Sequence, residues 1–158
     1  KTAYEIYQCD WSSDVCSSDL ISHEQILCSA ILSQTRASFD ELFERFGREV
    51  AVMSTAISRD HSLSKKRQEE AYVEQLKAAP WESVLIKLCE ISANLKVIKE
   101  SQLSRTKRNK LLKQNIHYLN VLKTNIAENR DKVLGLDKLL DGANETIAHF
   151  GHRTIKFE

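Results

Sequence analysis

Long apolar runs are missing from this chain, and so are the sequence motifs of the common enzyme classes. No stretch approaches eighteen consecutive apolar residues, so the sequence predicts no transmembrane helix. A glycine-rich phosphate loop, an H-E-x-x-H motif, a paired C-x-x-C motif and a nucleophile elbow are also absent. We therefore expect that the chain is not an enzyme, with no catalytic residues and no cofactor.

Metal-ligand clusters are lacking as well. His149 and His152 lie three residues apart, but a zinc site needs three or four ligands and no further cysteine or histidine joins them. Solvated side chains are the simpler interpretation of this pair. The sequence therefore predicts no metal site.

The first twenty residues do not belong with the rest of the chain. Lys1 to Leu20 reads KTAYEIYQCDWSSDVCSSDL, which resembles a translated sequencing adapter, and a disordered N-terminal extension is the alternative. Such segments are excluded from fold reasoning. The remaining chain holds 22 basic and 18 acidic residues, a net charge of +4, and two cysteines, Cys28 and Cys89. Two thiols within helical patterns are typical of a reduced, cytoplasmic protein and favour buried thiols over a disulfide.

An amphipathic pattern begins soon after this segment. Apolar side chains recur at spacings of four and three, which predicts one helix across Gly47, although glycine weakens a helix interior. A polar break follows at Ser58 to Leu63, and a second helix begins near Ser62 or Ser64 and ends before Pro80. The apolar face of the first helix comprises Ile31, Thr35, Phe39, Leu42, Phe46, Val50, Met53 and Ile57.

One long helix is predicted from Pro80 to about Asn129, because this stretch contains no glycine and no second proline. Its first third carries a coiled-coil seam with a strict heptad spacing. Its middle, Gln102 to Lys110, is polar and basic, and its last third is apolar again. The middle is either exposed between two partner-binding thirds or simply beyond the end of the first helix. The seam comprises Val84, Leu88, Ile91, Leu95 and Ile98.

The C-terminal part differs in composition, since three of the four glycines lie beyond Asn129. A short amphipathic helix is predicted to stop at Gly142, where glycine suits the position just past a helix end. We expect residues 143–158 to form a mobile tail that folds onto a partner. The predicted fold is all-α: an elongated antiparallel bundle or coiled coil of three main helices, residues 21–142, with this flexible tail.

The layout resembles the FlgN-type flagellar export chaperones over residues 21–158. The charged break RDHSLSKKRQEE, the long helix with NLKVIKESQLSRTKRNKLLKQNIHYLNVL, and the closing FGHRTI carry the resemblance, with Asn109 and Asn115 at the relevant kind of spacing. The tail lacks a clear tyrosine before its glycine, which departs from that family. The resemblance implies a bundle that captures the amphipathic terminal helices of hook-filament junction subunits and keeps them soluble before secretion.

If the resemblance holds, the last third of the long helix and the segment after it contact the export substrate by helix-in-groove packing. Junction subunits are then the protein partners, with export-gate components as further candidates, and the chain is a monomer or weak homodimer. The predicted partner-binding residues are Leu112, Ile116, Leu119, Leu122, Ile126, Val133, Leu136, Leu139 and Leu140.

Two other function classes stay open. The first is a coiled-coil scaffold or secretion-apparatus stalk. The second is a helical nucleic-acid-associated protein, which the basic cluster between Arg105 and Lys113 suggests. No aromatic residue interleaves that cluster and no reading motif accompanies it, so we expect protein partners and no nucleic acid.

Overall fold

The computed structural model describes residues 24–157 as α-helices joined by short loops, with no strand in this range. The predicted all-α fold class is therefore confirmed. The adapter-like segment predicted at residues 1–20 lies outside the described residues. The helices are α1 (Glu24–Leu32), α2 (Phe39–Phe46), α3 (Arg48–Ile57), α4 (Lys65–Lys77), α5 (Trp81–Glu100), α6 (Arg105–Asn129) and α7 (Leu136–His149), and a 3₁₀ turn (Arg130–Lys132) follows α6.

The described residues divide into two compact units. The first unit is residues 24–87, and the second unit is residues 88–157, so that the division falls within the bounds of α5. Helices α1, α2 and α4 each contact α3 in the first unit. This arrangement of short helices differs from the predicted bundle of three main helices, which the structure does not confirm.

The first predicted helix is three helices in the structure. Ser38 caps α2 through a capping box, in which its side chain accepts from the Glu41 N–H and the Glu41 carboxylate accepts from the Ser38 N–H. Gly47 has a φ of 84°, a left-handed value that glycine adopts readily, and it separates α2 from α3. The prediction of a continuous helix across Gly47 is therefore wrong.

The long helix predicted from Pro80 to Asn129 is also interrupted. Helix α5 ends at Glu100 and α6 begins at Arg105, where the Ser104 side chain accepts from the Lys107 N–H as an N-cap. The interruption falls at the start of the polar and basic stretch, Gln102 to Lys110, where few apolar side chains can pack against a core. Local capping thus outweighs the continuing helix propensity at this point.

The apolar seam predicted on α5 lies inside the structure. Val84, Leu88, Ile91, Leu95 and Ile98 are each no more than 2% exposed. Because the spacing of these residues places them on one helix face, burial of that face follows directly. The seam is confirmed as a core stripe, whereas its pairing as a coiled coil is not.

Helix α7 continues past the point where the sequence predicted its end. It runs through Gly142 to His149, and its residues Ala143, Thr146 and Ile147 are buried. An apolar face of buried side chains outweighs the low helix propensity of one glycine. The predicted helix end at Gly142 is wrong, because residues 143–149 of the predicted tail continue α7.

No described helix is both long and apolar enough to cross a membrane.

Candidate functional site

The nine predicted partner-binding residues lie mostly inside the chain. Ile116 and Val133 are half-buried, and the other seven are no more than 5% exposed. In this structure the seven are core residues of the second unit, and contact with a partner would require that core to open. Their partner-binding role stays a prediction. The seven are Leu112, Leu119, Leu122, Ile126, Leu136, Leu139 and Leu140.

A cavity in the second unit offers a different site. Its volume is about 470 Å³, which falls within the 300–1,000 Å³ that is usual for small-molecule sites. One side is formed by α6 and the other by the segment that follows α7. We call it the basic pocket, and its lining residues are Ile116, Asn120, Lys123, His152, Arg153, Thr154, Ile155 and Lys156.

The basic pocket has an excess of positive charge. Lys123, Arg153 and Lys156 line it, and no aspartate or glutamate does. Among residues 24–157, none of these three cations has an ion-pair partner. A concave surface lined by one sign of charge raises the local concentration of ions of the opposite sign. The pocket is therefore suited to an anion.

Asn144 on α7 fixes the segment that forms one wall of the pocket. Its Nδ2 donates to the Ile155 carbonyl at 2.9 Å, and the Ile155 N–H donates to its Oδ1 at 2.8 Å. The Ile155 side chain is only 8% exposed. Two hydrogen bonds and a buried side chain thus hold the backbone between the neighbouring cations, Arg153 and Lys156.

Both ends of this wall are also tied down. At its start, the His152 N–H donates to the Ile147 carbonyl at 3.1 Å, and the φ of 76° at Gly151 lets the chain turn away from α7. At its end, the Arg130 guanidinium donates to the Phe157 carbonyl at 3.0 Å, and the Phe157 side chain is buried. The wall is thus preformed.

A second polar cluster lies in the first unit, around Tyr72. This side chain is 2% exposed, and its hydroxyl donates to the Ile57 carbonyl at 3.1 Å. The Arg59 guanidinium lies 4.6 Å from the ring centroid, and the Lys87 ammonium lies 5.4 Å from it. Arg59 also pairs with Glu69 at 2.9 Å. These contacts fix the loop between α3 and α4, so we assign the cluster a structural role.

The basic cluster noted in the sequence is mainly solvent-facing. Arg105, Lys107, Lys110 and Lys113 are exposed. Arg108 is half-buried, with its guanidinium carbon 5.2 Å from the centroid of the Phe150 ring. Arg108 thus helps to hold the end of α7, whereas the other four cations face solvent.

The carboxyl groups of Glu41 and Asp60 have a lowered pKa, and both residues lie outside the basic pocket. The backbone N–H of Ser38, followed by its hydroxyl, lowers the pKa of Glu41 in the capping box. Hydrogen bonds from the Ser62 hydroxyl and N–H lower the pKa of Asp60 in the loop before α4. Both pKa values are lowered because hydrogen-bond donors stabilise the ionised carboxylate. The two shifts therefore reflect local turn and cap structure.

Metal ligands do not cluster within residues 24–157: no three or more His, Cys, Asp and Glu side chains lie where they could hold an ion. Cys28 and Cys89 are half-buried, and neither forms a disulfide. The sequence favoured buried thiols, whereas the structure leaves both only half-buried.

Sequence reasoning missed Lys123, Arg153 and Lys156 as a group, because the last two lie in a segment that was interpreted as a mobile tail. The alternation in that segment was the available signal. Ile155 and Phe157 are apolar and two residues apart, which is the spacing of one face of an extended chain. That spacing would have predicted two anchored side chains, with Lys156 between them and Arg153 before them.

Comparison with known proteins gives one informative match. No protein-family model matches the chain, and no curated protein matches it. The structure is similar to that of a metazoan ortholog of SpoT that hydrolyses ppGpp and plays a role in starvation responses. The TM-score is 0.64 at 22% sequence identity, over 85% of this chain and 74% of that one.

This match concerns the fold, and it overturns the function that the sequence predicted. The chain has the fold of a protein that hydrolyses ppGpp, so both the predicted flagellar export chaperone and the prediction that the chain is not an enzyme are wrong. Helical periodicity misled the interpretation, because amphipathic helices of unrelated folds share the same spacing. None of these comparisons tests the resemblance to the FlgN-type family itself. At this identity, the similarity establishes a shared helical fold and does not identify a substrate.

Proposed function

We propose that this chain hydrolyses ppGpp or a closely related phosphorylated guanosine nucleotide. The observation that carries the proposal is the structural similarity to a ppGpp hydrolase, with a TM-score of 0.64 over 85% of the chain. A match of that extent involves most of the described helices rather than one helical hairpin. The proposal therefore rests on the whole fold.

The positive charge of the basic pocket supports a phosphorylated substrate. Such a nucleotide carries several negative charges, which a protein must neutralise with cations or metal ions. The basic pocket places Lys123, Arg153 and Lys156 around one cavity. The chain thus offers a concave, positively charged surface of the kind that phosphate groups need.

The chemistry requires an attacking water and stabilisation of the charge that develops on phosphate oxygens. Divalent metal ions often supply both in phosphate ester hydrolysis. Residues 24–157 contain no group of three or more side chains suited to hold such an ion. The assay must therefore compare reactions with and without added divalent metal.

The test is hydrolysis of ppGpp by the full chain, residues 1–158, followed by anion-exchange chromatography of the remaining nucleotide. Parallel reactions contain Mg²⁺, Mn²⁺ or EDTA. We expect ppGpp to be consumed in at least one metal condition, with ATP left intact as a specificity control. A chain unfolded by heat provides the blank.

Two outcomes would overturn the proposal. The first is full recovery of ppGpp in every condition at a chain concentration equal to that of the nucleotide. The second is equal consumption of ATP, which would indicate a contaminating phosphatase. Binding measured separately distinguishes a chain that holds ppGpp without hydrolysing it.

A further inference from the structure

We propose that the basic pocket is a binding site for a small organic phosphate with at least two phosphate groups, such as a nucleoside diphosphate. The inference rests on the pocket alone and stands whether or not the chain hydrolyses ppGpp. It concerns the same pocket that supports the proposed function, and it names the class of ligand that this pocket would hold.

The first argument is charge. Lys123, Arg153 and Lys156 line the cavity, and its lining contains no carboxylate. Two phosphate groups in one molecule carry about three negative charges at neutral pH, given a second pKa near 6 for a terminal phosphate. The positive charge of the pocket and the negative charge of the ligand are therefore about equal, whereas a monovalent anion would neutralise only one of the three cations.

The second argument is geometry. Lys123 lies on α6, and Arg153 and Lys156 lie on the facing wall, so the cations approach a ligand from two sides. Arginine can bind phosphate oxygens in a bidentate manner, and lysine acts as a compact point charge. A ligand with two linked phosphates can contact both sides at once, which a lone phosphate does less well.

The third argument is preorganisation. Asn144 holds Ile155 through two hydrogen bonds, and Arg130 holds the Phe157 carbonyl. A backbone that is already fixed loses little conformational entropy when a ligand binds. The backbone of the wall is thus held in place, and its cations, Arg153 and Lys156, extend from it as exposed side chains.

The fourth argument is the apolar part of the lining. Ile116 and Ile155 contribute aliphatic surface, and Asn120 and Thr154 add neutral polar groups. A volume of about 470 Å³ is larger than a bare phosphate needs. The pocket therefore has room for a base or sugar next to the phosphates, which points to an organic phosphate rather than an inorganic ion.

The test is calorimetric titration of the full chain with inorganic pyrophosphate, GDP and ppGpp in EDTA, so that metal-dependent turnover is prevented. We expect all three to bind, with the nucleotides tighter than pyrophosphate because they also contact the isoleucines. In Lys123→Glu and Arg153→Glu chains we expect the affinity for GDP to fall at least tenfold.

Lys107→Glu is the matched control. It makes the same change of charge on α6, sixteen residues before Lys123, which corresponds to about 24 Å along a helix. The affinity of this variant for GDP should stay within about twofold of that of the original chain, because salt largely screens a charge at this distance from the pocket. Circular dichroism checks that each variant keeps its helix content. Lys156→Glu is a third pocket variant, and because Lys156 is exposed, this change should not disturb folding.

Three results would overturn the inference. One is no detectable binding of any of the three probes at millimolar concentration. Another is equal loss of affinity in Lys107→Glu and Lys123→Glu chains, which would indicate general charge attraction. The third is unchanged affinity in all pocket variants that remain folded. Binding with no hydrolysis would support the pocket while overturning the hydrolase proposal.

Discussion

The two units of the chain differ in where they leave their large apolar side chains. In the second unit, residues 88–157, Leu134 is the one large apolar side chain that is markedly exposed. In the first unit, the corresponding set is Leu27, Ile31, Phe39, Phe43, Phe46, Val52 and Leu63. The second unit therefore leaves fewer large apolar side chains exposed to solvent than the first unit does.

Several polar side chains of the first unit form hydrogen bonds to the backbone of another element, as Asn144 and Arg130 do in the second unit. The Gln75 side chain donates to the Thr55 and Ser58 carbonyls at 2.5 and 2.7 Å. Ser58 donates to the Ser33 carbonyl at 3.0 Å, and Ser83 donates to the Met53 carbonyl at 3.2 Å. Each such bond contributes about 0.5–1.5 kcal/mol, so the loss of one of these polar groups should measurably destabilise the first unit.

The largest expected effect is the loss of a buried apolar side chain in the core of the second unit. Leu122 is fully buried, so Leu122→Ala should lower the free energy of unfolding by about 3 kcal/mol, because it removes buried methyl groups and leaves a cavity. Urea unfolding followed by circular dichroism measures this loss. The same change at Leu134, which is 81% exposed, should cost less than about 0.5 kcal/mol. Equal losses would remove the distinction between core and surface in this unit.

An intermediate effect tests the dependence of the first unit on caps. Ser38→Ala removes the hydroxyl that accepts from Glu41 at 3.3 Å, and it should cost about 1 kcal/mol. Ser64 is a matched control, because it occupies the N-cap of α4 without a side-chain cap hydrogen bond. Ser64→Ala should therefore change the thermal midpoint less than Ser38→Ala does. A larger effect at Ser64 would show that the capping box contributes little to α2.

The smallest expected effect concerns pH. The folded chain lowers the pKa of Glu41, chiefly through the Ser38 N–H. The stabilisation is therefore complete above the ordinary glutamate pKa and is lost as the pH falls through the lowered value. The stability difference between the original chain and Glu41→Gln should shrink across that acidic interval. An NMR titration of the Glu41 carboxyl carbon measures the pKa directly, and an unshifted midpoint would contradict the capping geometry.

The sequence predicted the elements whose signal is periodic. The stripe from Val84 to Ile98 is buried as its spacing required, and the second predicted helix corresponds to α4, Lys65–Lys77. Burial of an amphipathic face follows from the positions of its apolar residues alone. All-α class and the core face of α5 could thus be derived without coordinates.

The helix ends and the functional site could not be derived in the same way. At Gly47 the outcome depended on backbone geometry, because a φ of 84° ends one helix and begins the next. At Gly142 the outcome depended on a buried face that continues beyond the glycine. The basic pocket joins Lys123 to Arg153 across thirty residues of chain, and no local pattern encodes such a pairing.

The position of the cysteines gives the chain a practical use. Cys28 lies in the first unit and Cys89 lies in the second, and neither forms a disulfide within the part of the chain that the structure describes. After Cys9 and Cys16 are replaced by serine, each unit retains one native thiol. A donor and acceptor dye on these two thiols would report by energy transfer whether the distance between the units changes when a phosphorylated ligand binds.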